Sequence, residues 1–122
     1  MKIDKFEDLK VWSEARGLVK DIYSLTASSK LNKDFGLKEQ IQRSAVSILP
    51  NISEGFEREN NREFVLFLKY AKGSAGELRA QLYLVRDLDY INENQFSQAY
   101  KKIVTISKLL SGFMTYLKSQ LS

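Results

Sequence analysis

Residues 40–78, QIQRSAVSILPNISEGFERENNREFVLFLKYAKGSAGEL, decide the fold of this chain. Apolar side chains recur there every three or four residues, which places them on one face of an α-helix. The first helix of the stretch begins slightly upstream, and its apolar face is made by Leu37, Ile41, Ala45, Ile48, Ile52 and Phe56. A second face holds Arg43, Ser47, Asn51, Glu54 and Arg58. Because Ser and Asn are poor helix formers, their presence predicts a helix that is covered on more than one side.

The same periodicity extends along the whole chain and predicts four helices, at about 6–28, 35–57, 61–90 and 93–119. Three pairs of residues have the spacing of an N-terminal capping box: Asp4 with Glu7, Asn60 with Glu63, and Asn92 with Gln95. Pro50 falls inside the second helix, where it removes a backbone donor. Since the apolar spacing continues beyond it to Phe56, we expect one bent helix there and not two.

The third and fourth helices carry the longest apolar faces. In the third helix the inward residues are Phe64, Phe67, Ala71, Ala75, Leu78, Leu82, Val85 and Leu88. In the fourth they are Phe96, Ala99, Ile103, Ile106, Leu110, Phe113 and Leu117, an uninterrupted heptad spacing. Long helices joined by short links favour antiparallel neighbours. The sequence therefore predicts an all-α domain over residues 1–122, an up-down-up-down antiparallel four-helix bundle.

The composition argues against several classes of function. The chain has no Cys and no His, which removes disulfides, thiolate zinc sites and the usual general base of enzymes. No apolar run approaches the ~20 residues that span a bilayer, and no signal-peptide core follows the first residues. We expect a cytoplasmic protein that is not an enzyme and has no cofactor, no metal, no small-molecule substrate and no membrane partner.

The net charge of +4 lies entirely in the second half of the chain. Residues 1–60 hold ten basic and ten acidic side chains, whereas residues 61–122 hold nine basic and five acidic ones. On the fourth helix, Lys101, Lys102 and Lys108 predict a mildly basic surface that would contact nucleic-acid phosphates. The alternative is that these lysines only solvate an amphipathic helix.

Two glycines interrupt the third helix, and each costs about 1 kcal/mol relative to Ala. Gly73 and Gly76, together with Ala80, are spaced to make a flat strip against which another helix packs closely. The alternative is a phosphate-binding loop, because Gly-Ser-Ala-Gly resembles one. However, no strand precedes these residues, and the helical periodicity runs through them unbroken.

Polar residues beside that strip allow two interpretations. Ser74, Glu77 and Gln81 share one side of the third helix and are expected to face the polar side of the second. Arg43 would then bind Glu77 or Glu54, and Asn51 would bind the carbonyl freed by Pro50 or a neighbouring chain. In the other interpretation Glu54, Glu63 and Glu77 form an acid/base or metal cluster. Bundle sites of that kind use Glu-x-x-His, which a chain without His cannot supply.

A series of short motifs in a fixed order resembles a known family. The motifs are Phe6-Glu7-Asp8-Leu9-Lys10-Val11-Trp12, Gln42-Arg43-Ser44-Ala45-Val46-Ser47-Ile48, Asn51-Ile52-Ser53-Glu54-Gly55, Glu63-Phe64 with Phe67-Leu68, and Gly73-Ser74 with Glu77-Leu78. In order and spacing they resemble the bacterial four-helix-bundle proteins encoded by intervening sequences in 23S ribosomal RNA genes. The resemblance covers nearly the whole chain.

The resemblance implies a left-handed bundle that assembles into a homopentamer and has no established enzymatic activity. It also implies kinship with the accessory variability proteins of diversity-generating retroelements, basic pentamers that engage a reverse transcriptase and nucleic acid. The matching residues, whose implied role is architectural and interfacial, are Arg43, Asn51, Glu54, Gly55, Glu63, Phe64, Gly73, Ser74 and Glu77. The chain departs from the family in having Arg43-Ser44 where a pair of arginines is common, and its proline stands one residue later than is usual.

Two functions follow from these observations. In the first, the chain is a non-enzymatic oligomeric module that associates with RNA or an RNA-bound protein through Lys101, Lys102 and Lys108. In the second, it is a purely structural or protein-binding oligomer that binds no nucleic acid, and Tyr83, Tyr90, Tyr100 and Tyr116 make its contacts. An enzyme acting through Glu54 and Glu77 ranks third.

Overall fold

The computed structural model describes residues 3–121, and in that range the chain forms four α-helices and no strand. The helices are α1, Lys10–Ala27; α2, Phe35–Glu57; α3, Asn61–Asp87; and α4, Glu93–Ser119. Two short 3-10 turns, Phe6–Asp8 and Lys30–Lys33, precede α1 and α2. The all-α class predicted from the sequence is confirmed. Residues 1, 2 and 122 of the predicted domain lie outside the described range.

Side chains cap three of the four helices. Asp34 accepts a hydrogen bond from the Leu37 amide at the start of α2, at 3.3 Å, and Asn60 accepts one from the Glu63 amide at the start of α3, at 3.0 Å. Before α4, Asn92 and Gln95 form a complete capping box, with bonds of 2.8 and 2.9 Å. These caps satisfy amides that have no partner inside the helix.

The start of α1 differs from the prediction. Residues Phe6–Asp8 form a separate 3-10 turn, and the extended residue Leu9 then leads into α1. Neither helical segment has a side-chain cap, so the predicted capping role of Asp4 with Glu7 is wrong. The physical reason is that Leu9 is buried, with 7% of its surface exposed, and anchors the chain between the two segments.

All four helices contribute to the core, and α3 contributes the most buried residues, chiefly through one face that is here called the inner face. Its seven residues are all buried and follow heptad spacing: Phe64, Leu68, Ala71, Ala75, Leu78, Leu82 and Val85. Two residues that the sequence assigned to this face are not part of it, because Phe67 is half-buried and Leu88 is 45% exposed. On α4 the predicted heptad face is buried except at Ala99 and Phe113, which are half-buried.

For α1 the sequence predicts an apolar face of Leu9, Trp12, Ala15, Val19, Ile22 and Leu25, and the structure buries three of these six residues, Leu9, Ala15 and Ile22. The structure buries Val11, Ala15, Leu18, Ile22 and Thr26, whereas the predicted residues Trp12, Val19 and Leu25 lie half-buried at its edge. Thr26 is tolerated inside because its hydroxyl donates to the Tyr23 carbonyl, at 2.9 Å, and accepts from Gln42, at 3.1 Å. A polar residue therefore completes a face that apolar periodicity alone assigned only in part.

Contacts between consecutive helices set their relative directions. Trp12 donates to Ser53 at 2.7 Å and Gln42 to Thr26, so residue numbers run in opposite directions across α1 and α2. The same is true of α3 and α4, where Lys72 donates to Ser107 and the Tyr83 ring lies 5.9 Å from the Tyr100 ring. Within residues 3–121, no helix combines the length and apolar character needed to cross a membrane.

Candidate functional site

The polar rows of α2 and α3 do face each other, as the sequence predicts. Ser44 donates to the Glu77 carboxylate at 2.5 Å, and the Ser47 and Ser74 hydroxyls lie 2.9 Å apart. Ser44 is 2% exposed, and the Gln40 carbonyl, 3.0 Å from its hydroxyl, is the alternative acceptor for the same single hydrogen. The row ends at Gln81, whose Oε1 is buried without a hydrogen-bond partner in the described part of the chain. Its geometry is that of a short polar seam between two helices.

Arg43 and Asn51 do not make the contacts expected of them. Arg43 points to solvent and pairs with Glu39 one turn away, at 2.6 Å, so its predicted bond to Glu77 or Glu54 is wrong. The reason is register, because Ser44 and not Arg43 lies opposite Glu77. Asn51 donates to the Ser47 carbonyl at 2.8 Å, next to the Val46 carbonyl that Pro50 frees.

The three glutamates of the acid/base alternative do not all meet at one site. Glu54 and Glu63 both pair with Arg58, at 2.9 and 3.6 Å, on the surface. Glu77 instead binds Ser44. Over residues 3–121, no group of three or more acidic side chains is arranged to hold a metal ion. The arrangement favours the architectural interpretation of these residues.

Gly55 and Phe64 form the tightest contact between α2 and α3. A Cβ atom at Gly55 would lie 2.8 Å from both Phe64 Cδ1 and Phe67 Cβ, a distance that side chains do not tolerate. Phe64 in turn stacks edge to face on Phe56 and on Phe113, with ring centroids 6.0 and 5.0 Å apart. The glycine lets the two helices approach beside this aromatic cluster.

The strip of small residues on α3 is open within residues 3–121, so the helix that the sequence predicts against it is not one of the helices described there. Nothing lies within 4 Å of a Cβ built at Gly73 or at Gly76, and Ala80 is exposed. The phosphate-loop alternative is wrong, because these residues lie in the middle of α3. The physical reason for the open strip is that the neighbours of α3 pack on its other sides.

Two residues of the open strip, Gly73 and Ala80, belong to a longer exposed row, here called the outer stripe of α3. It consists of Leu66, Tyr70, Gly73, Glu77, Ala80, Leu84 and Leu88, again at heptad-like spacing. The four large apolar members are between 43% and 51% exposed. Apolar residues at such spacing are usually buried by contact with another helix, so the outer stripe is a helix-packing face that has no partner within residues 3–121.

The three lysines predicted to contact nucleic acid do not share one environment. Lys101 and Lys108 are exposed and lie seven residues apart on the solvent side of α4. Lys102 is turned toward α1 and forms an ion pair with Asp21. The predicted surface therefore contains Lys101 and Lys108, whereas the charge of Lys102 is already compensated.

The four tyrosines divide in a similar way. Tyr83 and Tyr116 are 39% and 56% exposed. Tyr100 is half-buried against Phe96, and Tyr90 donates to the Asp34 carboxylate at 2.9 Å. This bond raises the pKa of the Tyr90 phenol above its ordinary value. Only two of the four tyrosines thus offer a largely open ring.

Comparison with known proteins agrees with this four-helix architecture. Residues 7–112 match the family model of the 23S rRNA-intervening sequence protein. The chain belongs to this family. A solved structure from Bacteroides thetaiotaomicron, described as a protein of unknown function from the S23 ribosomal protein family, has 25% sequence identity and a TM-score of 0.80. The alignment covers 86% of this chain and 95% of that one. The search of curated proteins gave no match.

For this member of the 23S rRNA-intervening sequence family, the sequence reasoning missed two groups of surface residues. The first is the outer stripe, whose signal was the recurrence of Leu66, Tyr70, Leu84 and Leu88 at helical spacing outside the inner face. The second is a set of basic residues on α3, Lys69, Lys72 and Arg79, which the charge excess of the second half already indicated. The sequence signals these residues, but that both groups are exposed becomes clear only when the neighbours of α3 are known.

Proposed function

We propose that this chain is a non-enzymatic module that assembles with copies of itself through the outer stripe of α3 and associates with RNA or an RNA-bound protein. The single observation that carries the proposal is the outer stripe, with large apolar residues at its ends and Gly73 and Ala80 near its middle. Small residues at such spacing allow the backbone of a second helix to approach closely. The stripe therefore fits a helix of another copy better than it fits water.

The bundle that we propose for each subunit is up-down-up-down and left-handed, and five subunits is the number that the family resemblance implies. The opposite directions of contacting residues across α1 with α2 and across α3 with α4 support that topology. Such a surface suits a ring. When the outer stripe of one copy binds a different face of the next copy, the same contact repeats around an axis until the last copy meets the first.

Association with RNA is supported by the charge distribution and by the family. Lys101 and Lys108 are exposed on α4, and the excess of basic residues lies in the half of the chain that contains α3 and α4. Affinity for phosphate backbones grows when several copies present the same weak site. The second candidate, an oligomer that binds only protein, is favoured by the exposed rings of Tyr83 and Tyr116.

Gel filtration with light scattering, with and without added RNA, tests the proposal. We expect the wild-type chain to elute as an oligomer, and the double variant Leu66→Glu, Leu84→Glu to elute as a folded monomer. Ser13→Glu, Ser24→Glu is the matched control, because it adds the same two charges at exposed residues of α1, away from the outer stripe. A monomeric wild-type chain, or a Leu66→Glu, Leu84→Glu variant that keeps the oligomeric mass of the wild type, would contradict assembly through this stripe.

The RNA arm of the same experiment separates the two candidates. Co-elution with RNA at low ionic strength that weakens in Lys101→Glu, Lys108→Glu supports the first. An oligomer that retains no RNA even at low ionic strength leaves the protein-binding candidate as the correct one.

A further inference from the structure

One side of the molecule, formed by α3 and α4, holds cations that no carboxylate compensates. Its members are Lys69, Lys72, Arg79, Lys101 and Lys108. None of them forms an ion pair with a residue in the range 3–121. Elsewhere several cations are paired, as in Arg43 with Glu39, Arg58 with Glu54 and Lys102 with Asp21. The five cations of this side therefore remain available to attract a polyanion.

This side contains a groove between α3 and α4 with a volume of about 340 Å³. Lys72, Gly73, Gly76, Arg79, Ile103 and Ser107 are among the residues that line it. Lys72 Nζ donates to Ser107 Oγ at 2.8 Å, which leaves the Ser107 hydroxyl hydrogen available to an anion. Because the two glycines have no side chains, the groove stays open above the backbone of α3.

The cations and an aromatic ring follow one another along the groove. Lys72 and Arg79 are seven residues apart on the same side of α3, a separation of roughly 10 Å along the helix. Tyr83 follows Arg79 after one further turn and is 39% exposed. Its ring packs on Phe96 and Tyr100, with centroids 5.2 and 5.9 Å apart, and the Arg86 guanidinium lies over it at 5.2 Å. The hydrogen-bonding contact with Tyr100, followed by partial burial, raises the pKa of the Tyr83 phenol.

We propose that this groove binds single-stranded RNA, with backbone phosphates on Lys72 and Arg79 and an unstacked base on Tyr83. The inference rests on the RNA association proposed above and names the form of RNA and the surface. Cations that follow a strand, interrupted by a fixed aromatic ring, are how proteins bind single strands. A duplex keeps its bases stacked inside and has none to offer Tyr83. Lys101 and Lys108 extend the positive side along α4.

Fluorescence anisotropy of a labelled, unstructured RNA strand, titrated with the wild-type protein over a range of salt concentrations, tests the groove. We expect Lys72→Glu, Arg79→Glu to weaken binding at least tenfold at low salt and to reduce the salt slope by about 1.4, since each phosphate contact on a single strand contributes about 0.7. The control Lys20→Glu, Lys33→Glu makes the same change in charge at exposed residues outside the groove and should leave the slope unchanged.

The aromatic contact has its own pair of variants. Tyr83→Ala should weaken binding of the single strand by about fivefold to a hundredfold with the salt slope unchanged, whereas Tyr83→Phe should bind as the wild type does. The same RNA annealed to its complement should bind more weakly and should not respond to Tyr83→Ala.

Three outcomes distinguish this inference from the proposed function. If the groove variants bind like the control, while Lys101→Glu, Lys108→Glu still weakens binding, the groove is wrong and the RNA association stands. If the duplex binds as tightly as the single strand and Tyr83→Ala has no effect, the proposed strand selectivity is wrong. If the wild-type chain binds no RNA at low ionic strength, both the groove and the proposed RNA association are wrong.

Discussion

The third helix has two faces with similar spacing and opposite surroundings. Its inner face is buried by the other helices, and its outer stripe is exposed along its length. Both faces have large apolar residues at their ends and small residues near the middle, but only the outer stripe includes a charged residue, Glu77. Apolar periodicity therefore identifies which faces of a helix are suited to packing, but it does not identify the helix that packs on each face. The chain supplies helices for one face of α3 and leaves the other uncovered.

The largest expected difference between the two faces is in the free energy of unfolding of the single chain. Leu78→Ala on the inner face should reduce it by about 2–5 kcal/mol, because Leu78 is fully buried and its removal leaves a cavity. Leu84→Ala on the outer stripe should change it by less than about 0.5 kcal/mol at concentrations where the chain is monomeric. Urea unfolding followed by circular dichroism measures both, and equal losses would contradict the distinction between the faces.

Glycines provide a second contrast between a covered and an uncovered position. Gly55→Ala should destabilise the fold by about 1–3 kcal/mol, because the new methyl group would overlap Phe64 and Phe67. Gly76→Ala should stabilise it by about 1 kcal/mol, because it removes a helix-interior glycine and meets no neighbour. Thermal unfolding of the two variants gives the signs, and stabilisation by Gly55→Ala would show that α2 and α3 are not in close contact there.

The polar seam beside the outer stripe should make a smaller contribution. A double-mutant cycle of Ser44→Ala with Glu77→Ala should give a coupling energy of about 1 kcal/mol, because the hydroxyl that donates to Glu77 is buried. The matched cycle on the exposed pair of Arg43 with Glu39 should give about 0.3–0.5 kcal/mol. A seam coupling no larger than the surface pair would remove Ser44 and Glu77 from the contacts that join the two helices.

The smallest expected effect lies beyond the end of both faces, at Tyr90. The fold favours its neutral phenol, because the bond to Asp34 raises the pKa of Tyr90. The stability from this bond is therefore complete below the ordinary tyrosine pKa of about 10 and is lost as the pH rises through the raised value. The difference in unfolding free energy between wild type and Tyr90→Phe should shrink over that range. A difference independent of pH would show that the bond does not form in solution.

Much of the fold follows from the sequence because local signals agree with one another. The sequence predicts helices at 35–57 and 93–119, and the structure places α2 at Phe35–Glu57 and α4 at Glu93–Ser119. Asn60 and Asn92 mark their helix starts through hydrogen bonds to residues three positions later. Such bonds join residues that are close in the sequence, so the sequence alone is sufficient to predict them.

The sequence predictions that are wrong concern features that depend on a neighbouring helix. Leu18 and Val19 are both apolar, and only the positions of α2 and α4 decide that Leu18 is buried and Val19 is at the edge. The pairing of Lys102 with Asp21 joins α4 to α1 across 81 positions, so no local pattern predicts it. The open strip at Gly73 was predicted to be covered because composition indicates packing without naming the partner.

Thiol labelling tests directly whether copies of this chain cover the outer stripe. The chain has no Cys, so Ala80→Cys places a single thiol in the middle of the stripe and Thr105→Cys places one on the exposed side of α4. We expect the thiol at residue 80 to react slowly at high protein concentration and quickly on dilution, whereas the thiol at residue 105 reacts quickly at both. Equally fast reaction of the two thiols at every concentration would contradict coverage of the stripe by copies of this chain.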